Sequence, residues 1–148
     1  MASEQEKNKA VILALHEEVW NKGKYGFLTS DVAASFVDHP PKRFIPAADR
    51  QNDALREESA ALREGFPDFH YQVIQIVAEG DRVVSLGRCT GTHTGTHRNI
   101  KPSGGSLDMF GISSYRLKDG KVVERWGILD PVALMRSLAS SSGAPGAH

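Results

Sequence analysis

The sequence contains little that could cross-link, anchor or strongly charge the protein. Its 148 residues include a single cysteine, Cys89, so no disulfide can form within the chain. No run approaches the roughly 18 apolar residues of a membrane span, and the polar start MASEQEKNKA lacks the apolar core of a secretory signal. Eighteen basic residues balance eighteen acidic ones, which argues against the basic surface of a nucleic-acid binder. These absences predict a cytoplasmic protein that binds neither membrane nor nucleic acid.

Phosphate-binding and dinucleotide-binding glycine motifs are also missing, and the chain shows no internal repeat. Its apolar fraction of 40% and charged fraction of 24% are ordinary for a globular protein. The length fits one domain, which we predict over residues 1–138. The last residues, 139–148, are rich in serine, glycine, alanine and proline, so we expect a disordered tail there.

The strongest local signal is a long hairpin near the C-terminus. Asp119-Gly120 lies between two extended runs, and this pair is among the best sequence indicators of a tight hairpin turn. On the first arm, Met109 and Tyr115 share one face and Phe110 shares the other. Because both faces are partly apolar, we predict that protein covers one face and that a partner or ligand meets the other.

Helical patterns come mainly before this hairpin, and extended patterns lead into it. Gly23 is placed to end the first helix, and Asp130 precedes Pro131 as a helix cap would. The predicted helices span about residues 6–21, 52–64 and 132–138, and the predicted strands span about 32–39, 69–78, 82–94, 106–117 and 122–129.

This order of elements predicts an α+β fold. Four consecutive antiparallel strands would form one strongly curved sheet, packed on one face by the N-terminal helices. Gly87 and Gly91 provide the bends that such curvature needs. A cone of this kind holds a small-molecule pocket between its sheet and its helices.

Several stretches, in their order and spacing, are similar to one known family. They are 36–40 (FVDHP), 62–69 (LREGFPDF), 78–84 (AEGDRVV), 91–95 (GTHTG), 101–104 (KPSG) and 119–126 (DGKVVERW), followed by Asp130. Over about residues 7–138 the chain resembles the SnoaL-like polyketide cyclases, or ester cyclases, of the NTF2-like superfamily. The resemblance implies an NTF2-like or cystatin-like cone that forms homodimers or homotetramers. It also implies intramolecular aldol ring closure of a polyketide ester in secondary metabolism, with no cofactor and no metal.

The sequence departs from this family at the residues that matter most. The resemblance implies a histidine and an aspartate as an acid/base pair on the two arms of the long hairpin. The matching positions here are Ser113 and Gly127, and neither residue can take a proton from carbon. The alternatives are therefore a dehydratase, an isomerase or an epoxide-opening cyclase on the same fold, or a protein that binds a small molecule without turnover.

Ring closure needs a base and a fixed donor for the developing oxygen charge. We predict His39, at the end of a strand, and His93, between glycines, as the proton-handling residues, although each could instead be structural. A metal site at His93 and His97 is not expected, because two histidines four apart share a face on a helix but not on a strand.

The predicted substrate-binding residues come from the first helix and from the hairpin. Arg125 and Tyr115 are predicted to orient an oxygen, since a cation or a phenol can stabilise an enolate. Arg125 could instead face solvent, and Tyr115 could be an ordinary half-buried strand residue. The predicted walls of the pocket are Trp20, Met109, Ser113 and Trp126, although Trp20 could instead belong to the core and Trp126 to packing at a subunit contact. Outside this set, we expect Asp130 to cap a helix, Asp108 to point away from the pocket, and His16 to lie on a surface or packing face.

Overall fold

The structure, a computed structural model, describes residues 2–30, 32–39 and 52–139. The helices are α1 (Glu4–Leu15), α2 (Phe27–Ser30), α3 (Asn52–Gly65) and α4 (Pro131–Ala139). The strands are β1 (Val32–His39), β2 (His70–Glu79), β3 (Arg82–Thr92), β4 (Ser106–Lys118) and β5 (Lys121–Leu129). Apart from Ala139, the predicted tail over 139–148 lies outside the described residues. None of the described helices has the length and apolarity needed to cross a membrane.

The first helix begins at a side-chain cap and ends in a widened turn. The Ser3 hydroxyl accepts a hydrogen bond from the Glu6 backbone N–H, and the Glu6 carboxylate accepts one from the Ser3 backbone N–H. After Leu15 the helix continues as a π-helical segment, His16–Asn21, which we call the π segment. Because a π-helical turn holds more residues than an α-helical turn, the buried side chains here follow a different spacing. His16, Val19 and Trp20 are all buried in it.

The five strands form one sheet in the order β1-β5-β4-β3-β2. Strands β2 to β5 pair antiparallel in sequence order, as the sequence predicts. Strand β1 adds to the far side of β5 in parallel, so the sheet is mixed rather than wholly antiparallel. The α+β class is confirmed, and the predicted hairpin turn is present, with positive φ angles at Asp119 (52°) and Gly120 (76°).

The two faces of the sheet differ in their cover. On β4 the odd-numbered residues from Leu107 to Leu117 are buried beneath the helices, and the alternate ones, including Asp108, face outward. Several large apolar side chains remain exposed on the outer face: Val84, Phe110, Ile112, Trp126 and Ile128. An apolar surface of this kind is typical of an association surface. The homo-oligomer that the resemblance implies stays a prediction.

The edge strand β2 is held to the π segment by the side chain of Asn21. The Asn21 Oδ1 atom accepts a hydrogen bond from the Tyr71 backbone N–H at 2.6 Å. Its Nδ2 atom donates to the Tyr71 carbonyl oxygen at 2.9 Å. The Asn21 amide thus bonds both backbone groups of Tyr71, as a neighbouring strand would, and fixes the position of Tyr71 on β2.

Gly87 is required because the Tyr71 ring lies directly against it. A methyl group added at Gly87 would lie 2.1 Å from Tyr71 Cε1, well inside contact distance. We expect Gly87→Ala to lower the free energy of unfolding by about 1–3 kcal/mol, since the buried ring has little space to retreat. Urea denaturation followed by circular dichroism measures this change.

The matched control for that prediction is Gly26→Ala. An added methyl group at Gly26 meets no atom of the described residues within 4 Å. Its effect should stay within about 0.5 kcal/mol. Equal stability of Gly87→Ala and Gly26→Ala would contradict the close approach of Tyr71.

Candidate active site

Polar side chains from six different elements meet on the covered face of the sheet. Each of them is at most 4% exposed. They are His16 and Trp20 from the π segment, Asp38 from β1, Tyr71 from β2, Ser85 from β3, Ser113 and Tyr115 from β4, and Arg125 from β5. We call this set the interior cluster. Since buried polar groups are costly, their concentration in one place marks a candidate site.

A buried ion pair lies at one end of the interior cluster. Asp38 and Arg125 are paired in the parallel register of β1 and β5, so their side chains lie on the same face. Arg125 Nη1 donates to Asp38 Oδ1 at 3.2 Å and to Oδ2 at 3.3 Å. Burial opposes the charge on Arg125, but the Asp38 carboxylate raises the pKa of the guanidinium above its ordinary value. The guanidinium of Arg125 is therefore charged in the folded protein.

The hydrogen bonds between Arg125 and Asp38 are longer than those usually found between two charged groups. Arg88 and Asp108, on the outer face, form two hydrogen bonds of 2.8 Å and 2.7 Å. Such bonds normally measure about 2.7–2.9 Å, so the Asp38–Arg125 contacts are long.

The Arg125 side chain covers Gly127, its neighbour on the same face of β5. A methyl group at Gly127 would lie 2.5 Å from Arg125 Nη2 and 3.0 Å from Ser113 Oγ. Ser113 and Gly127 face each other directly across β4 and β5. The guanidinium thus occupies the space that a side chain at position 127 would fill.

His16 lies at the other end of the interior cluster. Its Nε2 atom is 3.3 Å from the Ser85 hydroxyl and 3.3 Å from the Tyr115 hydroxyl. Burial, aided by the positive charge of Arg125, lowers the pKa of His16 from 6.5 to about 3. His16 is therefore neutral at physiological pH, and its ring packs 4.4 Å from that of Tyr71, centroid to centroid.

Five of the six predicted substrate-binding residues lie on the covered face. Trp20, Met109, Ser113, Tyr115 and Arg125 are all buried there. Trp126 lies on the outer face instead, 36% exposed, with the Arg82 guanidinium 5.2 Å from its ring centroid. Because alternate residues of a strand face opposite ways, Arg125 and Trp126 cannot both line one pocket.

The structure does not bring His39 into the interior cluster. His39 pairs with Trp126 in the register of β1 and β5, and the two rings stack at 4.6 Å on the outer face. Its Nε2 atom lies 2.9 Å from Glu124 Oε2. Its role in proton transfer stays a prediction, and this position does not support it.

His93 is fully buried, but it lies in the connection between β3 and β4. The Ser103 backbone N–H donates to His93 Nδ1 at 3.1 Å, and the Ser103 hydroxyl lies 2.9 Å from the same atom. That hydroxyl also donates to the Ser137 carbonyl oxygen at 2.6 Å. His93 therefore ties this loop to α4, and its predicted catalytic role has no support from its neighbours.

Four residues of the interior cluster are not among the site residues predicted from the sequence: His16, Asp38, Tyr71 and Ser85. Asp38 alternates with Phe36 on a predicted strand, and this spacing is a usable signal that the two residues share a face.

Asp130 caps α4 as predicted, since its Oδ1 atom accepts hydrogen bonds from the Val132 and Ala133 N–H groups at 3.1 Å and 3.2 Å. Among the described residues, no three His, Cys, Asp or Glu side chains form a group that could hold a metal ion.

A mixed five-stranded sheet covered by helices on one face, with a polar cluster enclosed between them, fits a protein of the NTF2-like class. The family model for SnoaL-like polyketide cyclases matches residues 10–138, and the chain belongs to this family. No curated protein sequence matches the chain.

Solved structures show the same fold. A candidate SnoaL-like polyketide cyclase from Jannaschia sp. CCS1 is 24% identical, with a TM-score of 0.81 over 95% of this chain and 96% of that one. IdmH, a candidate polyketide cyclase from Streptomyces antibioticus, is 27% identical, with a TM-score of 0.77 over 88% and 97%. AclR, named as a candidate hydroxylase from Streptomyces galilaeus, is 23% identical, with a TM-score of 0.76 over 89% and 95%.

Proposed function

We propose that this chain catalyses intramolecular, aldol-type ring closure of a hydrophobic polyketide or a similar small molecule, without a cofactor. Membership of the cyclase family supports a cyclase-type function. The observation that carries the proposal is the buried Asp38–Arg125 pair beside Ser113 and Gly127. The pair supplies the carboxylate of Asp38 on β1. This strand lies next to β5, where the family resemblance implies an aspartate at the position of Gly127.

In this proposal Asp38 is the base. Its carboxylate removes a proton from the carbon next to a ketone, and the electron pair moves onto the ketone oxygen as an enolate. The enolate carbon then attacks a second carbonyl carbon of the same molecule, which forms the ring bond and leaves an alkoxide. The alkoxide takes the proton back from Asp38, so product and substrate are isomers.

Arg125 is the electrostatic partner of this step. A fixed cation beside a developing enolate lowers the barrier more strongly in a buried site than in water. The long contacts between Arg125 and Asp38 allow the guanidinium to turn part of its hydrogen bonding to the substrate oxygen. When the guanidinium turns to the substrate, one oxygen of the Asp38 carboxylate would also become free to accept the proton from carbon.

The test is Asp38→Asn, which keeps the shape of the side chain and removes its basicity. We expect kcat to fall by about 10²–10⁴-fold, while KM changes little, for aromatic polyketide esters that carry a methyl ketone side chain. Product formation is followed by absorbance, and its isomeric mass by mass spectrometry. Thermal melts establish that the variant is folded.

Asp108→Asn is the matched control, because this carboxylate is also ion-paired but lies on the outer face. Its turnover should equal that of the wild type. Equal turnover of the Asp38→Asn protein and the wild type would remove Asp38 from the mechanism. A strict requirement for an added metal would contradict the cofactor-free reaction.

A second candidate function is binding without turnover. It is favoured by one observation: Ser113 and Gly127, which face each other across the hairpin, carry no group that titrates near neutral pH. Tight binding of the same esters with no product from the wild type would support this candidate.

A further inference from the structure

Four buried side-chain atoms of the interior cluster have no hydrogen-bond partner. They are His16 Nδ1, Trp20 Nε1, Tyr71 Oη and Arg125 Nε. Among the described residues the only other such side-chain atom is His93 Nε2, in the loop beside α4. Native proteins leave few buried polar groups unsatisfied, and each one calls for an explanation. Four in one cluster indicate that something other than internal packing completes their bonding.

All four atoms are able to donate a hydrogen. The indole and guanidinium nitrogens of Trp20 and Arg125 can only donate. Burial raises the pKa of Tyr71 far above its ordinary value, so its hydroxyl keeps its proton. The Ser113 hydroxyl opposes that rise but makes no hydrogen bond of normal geometry with Tyr71.

The neighbours of His16 indicate which of its two ring nitrogens carries the hydrogen. The hydroxyls of Ser85 and Tyr115 both approach Nε2, and in the part of the chain that the structure describes neither has another acceptor. Nε2 must therefore be the accepting nitrogen, because otherwise both hydroxyl hydrogens would be left without a bond. With a pKa of about 3 the ring is neutral, and its single hydrogen is on Nδ1.

These four side chains form one contiguous patch, which we call the donor patch. The Tyr71 ring lies 4.4 Å from the His16 ring and 5.7 Å from the Trp20 ring, centroid to centroid. Arg125 Cζ lies 5.9 Å from the Trp20 ring centroid. A ligand at this patch meets donors and no free acceptor among them.

We infer that the donor patch holds its ligand through carbonyl oxygens, with the Tyr71 O–H and the Trp20 Nε1–H as positioning donors. A donor-rich patch rejects ligands that bring further donors, because the buried groups on both sides would stay unpaired. The charge of Arg125 is already balanced by Asp38, so a neutral ketone or ester oxygen fits better than a free carboxylate. The identity of the compound that is turned over rests on the proposed function, whereas the way in which the donor patch holds that compound does not.

Two probes of equal shape test this. In 2-acetylnaphthalene the side group ends in a carbonyl oxygen, and in 2-isopropenylnaphthalene a methylene group replaces that oxygen. The chain has two tryptophans, so a ¹⁵N-labelled sample gives two indole N–H signals, which Trp126→Phe distinguishes. We expect the Trp20 indole proton to move further downfield with the ketone than with the hydrocarbon, while the outer-face Trp126 signal stays in place.

Tyr71→Phe and Tyr25→Phe are matched variants with opposite expectations. Tyr71→Phe removes a hydroxyl without a partner, so it should not lower the melting temperature, but it should weaken ketone binding by roughly threefold to tenfold. Tyr25→Phe removes a hydroxyl that lies outside the interior cluster, 3.4 Å from the Ser59 hydroxyl. It should leave both the affinity for the ketone and the preference for ketone over hydrocarbon unchanged.

Four results would overturn the inference: equal affinity for the two probes, no effect of Tyr71→Phe on ketone binding, a shift of Trp126 in place of Trp20, or no binding of either probe at millimolar concentration. Because binding is measured here and turnover is measured with Asp38→Asn, the two proposals can fail separately. A ketone preference without any turnover would keep the donor patch and reject the cyclase reaction.

Discussion

Arg125→Met should lower the free energy of unfolding by about 3–5 kcal/mol at neutral pH, because it leaves the Asp38 carboxylate buried without its cation. Asp38 is 1% exposed, so water cannot replace the lost partner in the folded protein. Methionine keeps most of the volume of the arginine side chain, which limits any effect of an empty space. Urea denaturation at pH 7 measures the change.

Two further variants separate charge from packing in this prediction. Arg88→Met removes the cation of an exposed pair, whose loss should cost no more than about 1 kcal/mol. The double variant Asp38→Leu/Arg125→Met removes both charges and should recover much of the lost stability. If the single and double variants were equally unstable, the cost would come from packing and the argument from charge would be wrong.

A fall in pH from 6 to 4 should cost about 2–3 kcal/mol of unfolding free energy through His16 alone. The pKa of His16 is about 3 in the folded protein and 6.5 when unperturbed. Below pH 6.5 the unfolded chain takes up a proton that the folded protein refuses, so unfolding becomes more favourable as the pH falls. Above pH 6.5 both states are neutral, and near pH 3 the folded protein also binds the proton, so the loss ends there.

The measurement is a comparison of the wild type with His16→Gln across this pH range. Glutamine keeps a hydrogen-bonding side chain and does not titrate, while all carboxylates titrate in both proteins and cancel. The stability advantage of the wild type should shrink from pH 6 to pH 4. His70→Gln, at an exposed site, controls for the loss of one imidazole. Parallel curves for the wild type and His16→Gln would contradict the buried, neutral state of His16.

Local signals in the sequence were sufficient for most of the secondary structure. The Asp119-Gly120 turn, the Asp130 cap and the apolar spacing of α3 act over a few residues, so each can be recognised without the fold. The parallel pairing of β1 with β5 joins residues about 87 positions apart, such as Asp38 and Arg125. No pattern within either strand specifies that pairing.

The candidate site was harder to predict for the same reason. The sequence indicates the face of β5 on which Arg125 lies, but its partner Asp38 depends on a distant strand pairing. For His16 the sequence predicts only a surface or packing face, and the wider turn of the π segment, which places His16 in the buried cluster, has no clear signal in the sequence. The resemblance that points to His39 does not show which face of β1 the helices cover, and the sequence around Trp126 does not show which face of β5 they cover.

The hydrogen bonds of Asn21 determine what a chemical change of its amide would do to the protein. Asparagine loses its amide nitrogen slowly in solution and becomes an aspartate. At position 21 the new carboxylate would face the Tyr71 carbonyl oxygen and the Glu17 carboxylate, to both of which the amide now donates hydrogen bonds. Two attractive contacts would become repulsive, and the backbone of the outermost strand would open to pairing with a neighbouring molecule. Deamidation at Asn21 would thus loosen the attachment of β2 to the π segment without any change in the apolar core.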